Sequence, residues 1–394
     1  MIRYCTLAFF IRAMKIRVFC LVLSLLCLFF LWRPDYVHYK ALQESKVPAQ
    51  IDHNIDQIEH NISETVLTNN DRDVYAKPQF AIVACRDESS PSAKKGFQQH
   101  LGRITILLKS AAILTGTTLT FNIASNSEAV YEEVVNIVKE WPLQYKNRLV
   151  FNPRREIFYP EEFEYINEHY KLCSAAKLFL KDVFHDMDSL IFLDTDMIFM
   201  QPPEDLWKEF KNFETRNVIG LIPHLHHYNP PFNDFPVYGF TGINSGVLLL
   251  NLTRIRKFPW NDSIRDTLSK YKLKVLKYSD QEIINIMFSR NNEKYVYEVG
   301  CEWNYGRWLC FHGRQICSGA ASRGVALLHA KGDQPKMKDL IRAWREFDMN
   351  SPIQDLVSMM DKYLANPEKR QCGEIENIND ILTKGFKRHF NLEE

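Results

Sequence analysis

Asp194 and Asp196 lie inside an apolar stretch of the sequence, SLIFLDTDMIFM. The strongly apolar residues Ser189–Leu193 precede them, and residues 197–200 follow. Moving a carboxylate from water into a protein core costs several kcal/mol unless it is paired or bound to a metal ion. Two carboxylates one residue apart can face one divalent cation, and Mn²⁺ or Mg²⁺ prefers oxygen ligands. A metal site at the end of a buried strand is therefore one interpretation, and a turn capped by the aspartates is the other.

A second candidate segment is GINSGVLLLN, at residues 242–251. Gly242 and Gly246 flank Asn244 and Ser245, so the backbone and the amide could approach a ligand closely. The VLLLN part is typical of a buried strand. The alternative interpretation is a tight turn before that strand.

A third candidate segment is YSDQEIIN, at residues 278–285, which is typical of the start of a helix. Ser279 or Asp280 is suited to cap that helix, and Glu282 lies in its first turn. Gln281 is a neutral amide with no capping role of its own. Capping explains Asp280 without any function, whereas Gln281 is left for a ligand.

A fourth segment, VALLHAKGDQPK at residues 325–336, predicts a strand that ends at His329. A single histidine at a strand end is usually structural. Two aspartates without a third protein ligand make it a candidate, because neutral imidazole coordinates Mn²⁺. Gly332 and Lys336 follow at a distance from which they could contact phosphate oxygens.

The elements that must position these residues alternate between strands and helices. Strand patterns end at Cys85, Ala124, Asn152 and Leu193, and helical patterns lie between them, near residues 101–114, 128–139 and 173–183. This order predicts an α/β domain with a central, mostly parallel sheet. Ligands of such sheets gather at the carboxyl ends of the strands, which is where Asp194 and Asp196 stand.

The N-terminal region predicts a membrane anchor. Residues 18–32 are apolar throughout and follow a basic segment, but fifteen helical residues span about 22 Å, which is short for a bilayer core of about 30 Å. A cleaved signal peptide is the alternative, although no small-residue cleavage site follows. We therefore expect a cytoplasmic tail at residues 1–17, an anchor at 18–32, a luminal stem at 33–77 and the catalytic domain at 78–394.

Cysteines and glycosylation triplets agree with a luminal domain. Six cysteines follow the predicted anchor, and they include no C-x-x-C pair, so we expect disulfides rather than zinc, with the pairing left open. N-x-S/T triplets at Asn61, Asn251 and Asn261 predict N-glycosylation. The formal net charge of +1 argues against nucleic acid as a partner.

Four segments in this order, FLDTDMIF, GINSGVLLLN, YSDQEIIN and LLHAKGDQPK, resemble glycosyltransferase family 8. That resemblance implies a Rossmann-like GT-A fold and a retaining transferase that uses a nucleotide sugar with Mn²⁺ or Mg²⁺. CEWNYGRWLC and the neighbouring motifs are most similar to the glucoside xylosyltransferases of this family. These are type II membrane enzymes that transfer α-xylose from UDP-xylose onto O-linked glucose on EGF-like repeats. The resemblance thus implies an O-glucosylated protein acceptor and the Golgi or endoplasmic reticulum membrane.

Residue by residue, the resemblance implies metal ligands at Asp194, Asp196 and His329. It implies catalytic roles for Asp280 and Gln281, with Gln281 near the anomeric carbon on the face opposite the leaving diphosphate. Because Gln281 is a poor nucleophile, we expect the acceptor to attack from the face that the diphosphate leaves. Besides the two aspartates, the donor-binding residues that the resemblance implies are Ala84, Cys85, Arg86, Lys177, Thr195, Asn244, Ser245, Gly246, Gly332 and Lys336.

Two positions depart from the family pattern. Lys177 stands where family members usually carry arginine, which replaces a planar fork of donors by a point charge. Pro335 occupies the place of the family's phosphate-binding lysine, and Lys336 follows it. Two other functions remain open: transfer of another sugar, such as glucose or galactose, by the same kind of enzyme, and a non-catalytic luminal sugar-binding protein with a structural calcium at the D-T-D triplet.

Overall fold

A computed structural model describes residues 77–87, 91–170, 173–225, 235–330, 335–367 and 371–392. All the elements named below belong to one compact unit that spans residues 62–394. Of the site residues predicted above, Asn61 and Gly332 lie outside the described part of the chain, as do the predicted tail, the predicted anchor and all of the predicted stem except Lys77.

The domain is built on an α/β sheet, as predicted. The strands are β1 (Gln79–Ala84), β2 (Leu119–Ser125), β3 (Leu149–Phe151), β4 (Arg155–Glu156), β5 (Ser189–Leu193), β6 (Met197–Phe199), β7 (Ile219–Pro223), β8 (Ile243–Asn251), β9 (Val296–Glu298) and β10 (Leu327–His329). The main sheet has the order β3-β2-β1-β5-β8-β7-β9, and β4 pairs with β2. Strand β8 runs antiparallel to both neighbours, and the other pairs are parallel, so the sheet is mostly parallel.

Helices cover the sheet and form a C-terminal layer. They are α1 (Pro91–Leu114), α2 (Glu128–Asn136), α3 (Leu143–Lys146), α4 (Glu164–His169), α5 (Leu180–Val183), α6 (Pro203–Lys208), α7 (Leu252–Ile255), α8 (Trp260–Lys270), α9 (Asp280–Met287), α10 (Ser318–Arg323), α11 (Pro335–Glu346), α12 (Ile353–Leu364) and α13 (Ile378–His389). The predicted helix over 173–183 is instead a 3₁₀ turn, Ala176–Phe179, followed by α5.

The sheet positions the site because its central strands are fully buried. Every residue of β2 and of β5 is buried, which matches the mostly apolar sequence of β5. Helix α1 packs beside them, and its buried Lys109 donates hydrogen bonds to the carbonyls of Trp344 (3.0 Å) and Phe347 (2.8 Å) at the end of α11. This contact joins the C-terminal helices to the sheet.

A second, two-stranded antiparallel sheet is formed by β6 and β10. Strand β6 begins directly after Asp196, and β10 ends at His329. The predicted strand at 325–329 is therefore confirmed, but it pairs outside the main sheet.

The prediction of disulfides is confirmed for all six cysteines beyond the N-terminal region. The pairs are Cys85–Cys173, Cys301–Cys317 and Cys310–Cys372. The first joins the end of β1 to the segment before the Ala176–Phe179 turn, across 88 residues of sequence. The sequence left this pairing open.

The prediction of a single-pass type II membrane protein of the Golgi or endoplasmic reticulum is corrected. In the described ranges of the chain, none of the helices combines the length and the apolar character that a bilayer crossing requires. The apolar segment 18–32, on which the prediction rested, is outside those ranges.

Candidate active site

The pairing of β5 with β8 brings two predicted segments together. In the antiparallel register Leu193 faces Val247, and the Asp194 amide donates a hydrogen bond to the Gly246 carbonyl at 2.8 Å. Because β8 is antiparallel, its first residues lie at the carboxyl end of β5. Asn244 and Ser245 therefore lie beside the D-T-D triplet.

The pairing of β6 with β10 brings the predicted histidine to the same place. His329 faces Met197 in the register, and the Ala330 amide donates to the Asp196 carbonyl at 2.8 Å. The His329 ring is thereby held next to Asp196, although more than a hundred residues separate them in the sequence.

Asp194, Asp196 and His329 form a group that fits a divalent cation. One ligand atom from each lies within 4.8 Å of the others. His329 Nε2 is 3.2 Å from Asp196 Oδ1 and 3.9 Å from Asp194 Oδ2. That nitrogen is buried and has no hydrogen-bond partner among the described residues. A buried ring nitrogen directed at two carboxylates is the arrangement that a bound cation would satisfy, and its O,O,N donor set suits Mn²⁺.

Lys177 lies between two of the site's carboxylates. Its Nζ is 3.0 Å from Asp194 Oδ1 and 3.1 Å from Asp280 Oδ2, and it donates to the Ser245 carbonyl at 3.3 Å. Burial by itself would lower the pKa of Lys177, but the carboxylates of Asp194 and Asp280 outweigh it and raise the pKa, so the amine stays charged. Lys177 thus pairs with two carboxylates of the protein, and its contact with the donor diphosphate stays a prediction.

Side-chain hydrogen bonds connect α9 to the first residues of β8. Asn285 is fully buried and exchanges hydrogen bonds with the Ile243 amide (2.9 Å) and carbonyl (3.2 Å). The Ser245 hydroxyl donates to Asp280 at 2.6 Å, and the Asn244 amide donates to Gln281 Oε1 at 2.9 Å. The predicted donor-sugar residues are therefore in contact with both predicted catalytic residues.

Asp280 does not cap α9. The N-cap residue is Ser279, whose φ is +56° and whose side chain makes no capping hydrogen bond. The cap-like contact comes from Glu282, which accepts the Tyr278 amide at 2.9 Å. Burial raises the pKa of Glu282 to about 7, while that backbone hydrogen bond opposes the rise. The Asp280 carboxylate is consequently available to Lys177 and Ser245.

Gly246 is required by packing rather than by backbone conformation. A Cβ atom at this position would lie 2.7 Å from His329 Cε1, 2.7 Å from Met197 Cε and 2.9 Å from Asn244 Oδ1. The predicted close approach at this glycine therefore involves the metal-site histidine. Gly242, in contrast, has a φ of +73° in the turn that precedes β8.

A cavity of about 510 Å³ lies at the carboxyl end of the sheet. The site residues that line it are Lys177, Asp194, Asp196, Asn244, Ser245, Asp280, Gln281 and His329. Its walls also include residues that the sequence did not single out: His100, Arg103, Tyr170, Ser174, Lys277 and Tyr278. Burial first, and then Arg103, lower the pKa of His100, so its imidazole is neutral near the two aspartates. Arg103 and Lys277 are exposed cations at the cavity wall. Neither residue belongs to a sequence motif. Arg103 lies on helix α1 and Lys277 lies in the segment before α9, so only the fold brings them to the same cavity.

The structure does not bring every predicted donor-binding residue to the cavity. Lys336 is buried at 3% exposure, and its Nζ donates to the carbonyls of Leu364 and Asn366 (2.9 Å for Asn366). It therefore holds the end of α12 and does not point at the metal site. Arg86 pairs with Glu133 and lies over the Phe97 ring at 5.3 Å.

Strand β1 reaches the cavity through Val83 and Cys85, whereas Ala84 is fully buried. The Cys85–Cys173 disulfide lies in the cavity wall, since both of its cysteines line the cavity. Thr195 also lines it. These residues form the side of the cavity expected to face the nucleotide.

Two predicted glycosylation sites lie on described elements. Asn251 is 7% exposed, and its side-chain oxygen accepts the Arg254 amide at 3.0 Å as the N-cap of α7. This side chain is thus buried and engaged in capping in the folded protein, and glycosylation at Asn251 stays a prediction. Asn261 is half-buried in α8, so glycosylation there stays a prediction.

Comparison with known families finds a match to the model of "Glycosyl transferase family 8" over residues 66–329. Glucoside xylosyltransferase 2 of Mus musculus is 32% identical over 343 residues, which cover 79% of this chain and 72% of that protein. Glucoside xylosyltransferase 1 of Danio rerio is 30% identical over 314 residues, which cover 73% of this chain and 75% of that protein. Glucoside xylosyltransferase 1 of Gallus gallus is 28% identical over 334 residues, which cover 78% of this chain and 72% of that protein.

Solved structures similar to this chain include mouse xyloside xylosyltransferase 1 in its apo form. The identity is 20%, the match covers 64% of this chain and 97% of that chain, and the TM-score is 0.46. The galactosyltransferase LgtC, in complex with donor and acceptor sugar analogues, matches with 18% identity over 75% of this chain and 100% of that chain, again with a TM-score of 0.46.

Proposed function

The chain belongs to glycosyltransferase family 8, and from this premise we propose that it transfers xylose from UDP-xylose, in α-linkage, onto O-linked glucose of EGF-like repeats. Its described domain has the GT-A fold. The choice of xylose is supported by the relatives named glucoside xylosyltransferase, which match most of the chain. The observation that carries the catalytic proposal is the Asp194, Asp196 and His329 group in the cavity wall.

We propose Mn²⁺ as the ion held by Asp194, Asp196 and His329. When bound, it would supply a Lewis acid that stabilises negative charge on the departing diphosphate. The site carries the carboxylates of Asp194, Asp196 and Asp280. It also carries the ammonium group of Lys177, which pairs with Asp194 and Asp280. Asp194 and Asp196 would present negative charge to a divalent cation, and Lys177 offsets charge on Asp194 and Asp280. Without that ion the same charges would repel a nucleotide.

Arg103 and Lys277 are proposed to attract and orient the diphosphate. Both line the cavity and are exposed, and neither side chain makes a hydrogen bond or an ion pair with another described residue. Preorganised cations at the wall stabilise a leaving group as its charge develops. They would supply the positive charge that the sequence assigned to Lys177 and Lys336.

Retention of the anomeric configuration is proposed to occur without a protein nucleophile. A double displacement needs a carboxylate that is able to attack the anomeric carbon. Asp280 accepts the Ser245 hydroxyl and pairs with Lys177, and Gln281 is an uncharged amide. We therefore propose that the acceptor hydroxyl attacks the face that the diphosphate leaves, and that a diphosphate oxygen accepts its proton.

A donor panel tests the proposed sugar. The purified protein is given Mn²⁺, a glucosylated acceptor peptide and UDP-xylose, UDP-glucose or UDP-galactose, and the products are measured by mass spectrometry. Exclusion of one hydroxymethyl group predicts a kcat/KM at least about tenfold higher for UDP-xylose than for the hexose donors. A preference for either hexose would assign another sugar, and no product with any donor would support a non-catalytic sugar-binding protein.

Asp196→Asn tests the proposed metal site. Loss of one anionic ligand should abolish Mn²⁺ binding and lower transfer by about two orders of magnitude or more. The fold should remain intact, which circular dichroism can verify. Asp186→Asn, at an exposed aspartate paired with Arg155, is the matched control and should leave transfer unchanged. Full activity of the Asp196 variant would exclude the proposed role.

A further inference from the structure

Asn304 connects the metal-site histidine to the glutamine of α9 through side-chain amides. His329 Nδ1 lies 2.9 Å from Asn304 Oδ1. Asn304 Nδ2 donates to Asn244 Oδ1 at 2.8 Å, and Asn244 Nδ2 donates to Gln281 Oε1 at 2.9 Å. Four side chains from four separate segments are thus joined by three hydrogen bonds. We name this set the amide chain.

Backbone amides determine the direction of the amide chain. Asn244 Oδ1 accepts the Gly246 backbone N–H at 3.0 Å, so this atom is an acceptor. The group that faces it from Asn304 must therefore be the NH₂ donor, which turns Asn304 Oδ1 toward His329. At the other end, Gln281 Oε1 also accepts the Ser245 backbone N–H at 3.4 Å. A backbone N–H can only donate, so neither of these acceptors can exchange roles without losing a bond.

The direction of the amide chain determines the tautomer of His329. Because Asn304 presents an oxygen, His329 must carry its proton on Nδ1 to make the bond. In the neutral ring that metal coordination requires, Nε2 then carries the lone pair, and it is the nitrogen that lies 3.2 Å from Asp196. A ring nitrogen with a lone pair can bind a cation, and a protonated one cannot. The proton position thus prepares His329 to act as a ligand.

Water cannot readily replace the hydrogen bond between Asn304 and His329, because both residues are buried. Asn304 and His329 are each 1% exposed. The Trp308 ring packs edge-on against His329 with a centroid distance of 5.1 Å, and it stacks on His224 at 4.8 Å. A buried amide that lost its partner in these surroundings would stay unsatisfied.

We propose that Asn304 is a positioning residue that fixes the His329 tautomer for the metal ion and, through Asn244, holds the Gln281 oxygen against β8. This inference rests on the metal site of the proposed function. The proposal also bears on Gln281, which the family resemblance places near the anomeric carbon. Its side-chain oxygen accepts two hydrogen bonds from β8 and is committed to them. The amide chain would then couple occupation of the metal site to the orientation of Gln281.

Mn²⁺ binding to the metal-site variants, measured by electron paramagnetic resonance without donor or acceptor, tests the His329 half of the proposal. Asn304→Ala removes the acceptor for Nδ1–H and should weaken Mn²⁺ binding by about 10- to 100-fold. Asn122→Ala is the matched control, since Asn122 is also fully buried and hydrogen-bonded, to the Phe80 carbonyl and to Asn152. It should lower the melting temperature without changing Mn²⁺ affinity.

Asn304→Asp separates the two halves of the amide chain. An aspartate still accepts Nδ1–H from His329 but cannot donate to Asn244. Mn²⁺ affinity should therefore return to within about threefold of the wild type, while kcat should remain about tenfold or more below it. Equal loss of Mn²⁺ affinity in the Ala and Asp variants would overturn the proposal, because it would mean that any change at this position disturbs the fold.

The tautomer gives a readout that does not depend on activity. Long-range ¹H–¹⁵N correlation spectra of the protein loaded with diamagnetic Mg²⁺ should show His329 protonated on Nδ1, with the resonance assigned by its loss in His329→Asn. A proton on Nε2 would overturn the proposal. If the wild type binds Mn²⁺ and transfers sugar but Asn304→Ala binds Mn²⁺ equally well, the proposal fails and the proposed function stands. If the wild type does not bind Mn²⁺, both fail.

Discussion

The ammonium nitrogen of Lys177 lies 3.0 Å from Oδ1 of Asp194. A residue that precedes β5 thus supports the first aspartate of the D-T-D triplet, and the same ammonium pairs with Asp280 at 3.1 Å. Its side chain is 10% exposed. The contact places a permanent positive charge behind the proposed metal ligands, where it limits the repulsion among three carboxylates before any cation binds.

Replacing Lys177 by methionine should therefore damage both stability and activity. Removing one partner from a buried ion pair leaves an uncompensated charge, which costs about 3 kcal/mol or more of unfolding free energy. Urea unfolding measures this loss. Lys208→Met is the matched control, since Lys208 and Asp205 form an exposed pair, and it should cost less than about 1 kcal/mol. Equal effects of the two substitutions would contradict the buried pair's role.

Replacing Gly246 by alanine should weaken Mn²⁺ binding. The new methyl group would lie 2.7 Å from His329 Cε1, so either the ring or β8 must move. We expect an affinity loss of about tenfold or more. Gly96→Ala in α1, where a Cβ meets nothing within 4 Å, is the control and should stabilise the helix by up to about 1 kcal/mol. Unchanged Mn²⁺ affinity in Gly246→Ala would show that the strand adjusts without the ring.

Replacing Glu282 by glutamine should change how stability depends on pH. Burial raises the pKa of Glu282 to about 7 in the folded protein, above its ordinary value of 4.5. A raised pKa means that its stabilising contribution is complete below about pH 4.5 and is lost as pH rises through 7. Glutamine can still accept the Tyr278 amide and does not ionise.

Between pH 5 and pH 8 the free energy of unfolding of the wild type should therefore decrease relative to that of Glu282→Gln, by up to about 3 kcal/mol. Thermal unfolding at several pH values measures the difference. Glu132→Gln, at an exposed glutamate of α2, controls for the loss of a charge and should shift the melting temperature equally at each pH. A Glu282→Gln difference that stayed constant with pH would rule out titration of this group.

Replacing Lys336 by methionine should lower stability and leave donor binding unchanged. Its Nζ donates to the carbonyls of Leu364 and Asn366 at the end of α12, and the buried Leu364 carbonyl would lose this donor at a cost of about 1–3 kcal/mol. Steady-state kinetics should give an unaltered KM for the nucleotide sugar. A raised donor KM in a variant of normal stability would instead support the phosphate role that the sequence suggested.

Much of the fold was predictable because its signals are local. The strand Ser189–Leu193 is bounded as predicted, since four apolar residues after a small polar one have the length of a buried strand and are too few for a helix. The alternation of strands and helices likewise predicted a mostly parallel sheet. The start of α1 was missed by ten residues: its first turns, from Pro91, contain mostly polar residues and glycine, which give no apolar period.

The sequence by itself determined which chemical groups were available: two carboxylates at a strand end, a histidine at another strand end, and the Asn244 and Gln281 amides, all on motifs typical of one family. Tertiary structure decided which of these groups meet. The β6–β10 register brings His329 to Asp196, the β5–β8 register brings Asn244 beside Asp194, and no local pattern encodes a register between distant strands. The same is true of the lysines, because burial and partners, rather than residue type, turned Lys177 toward two carboxylates and Lys336 toward the end of a helix.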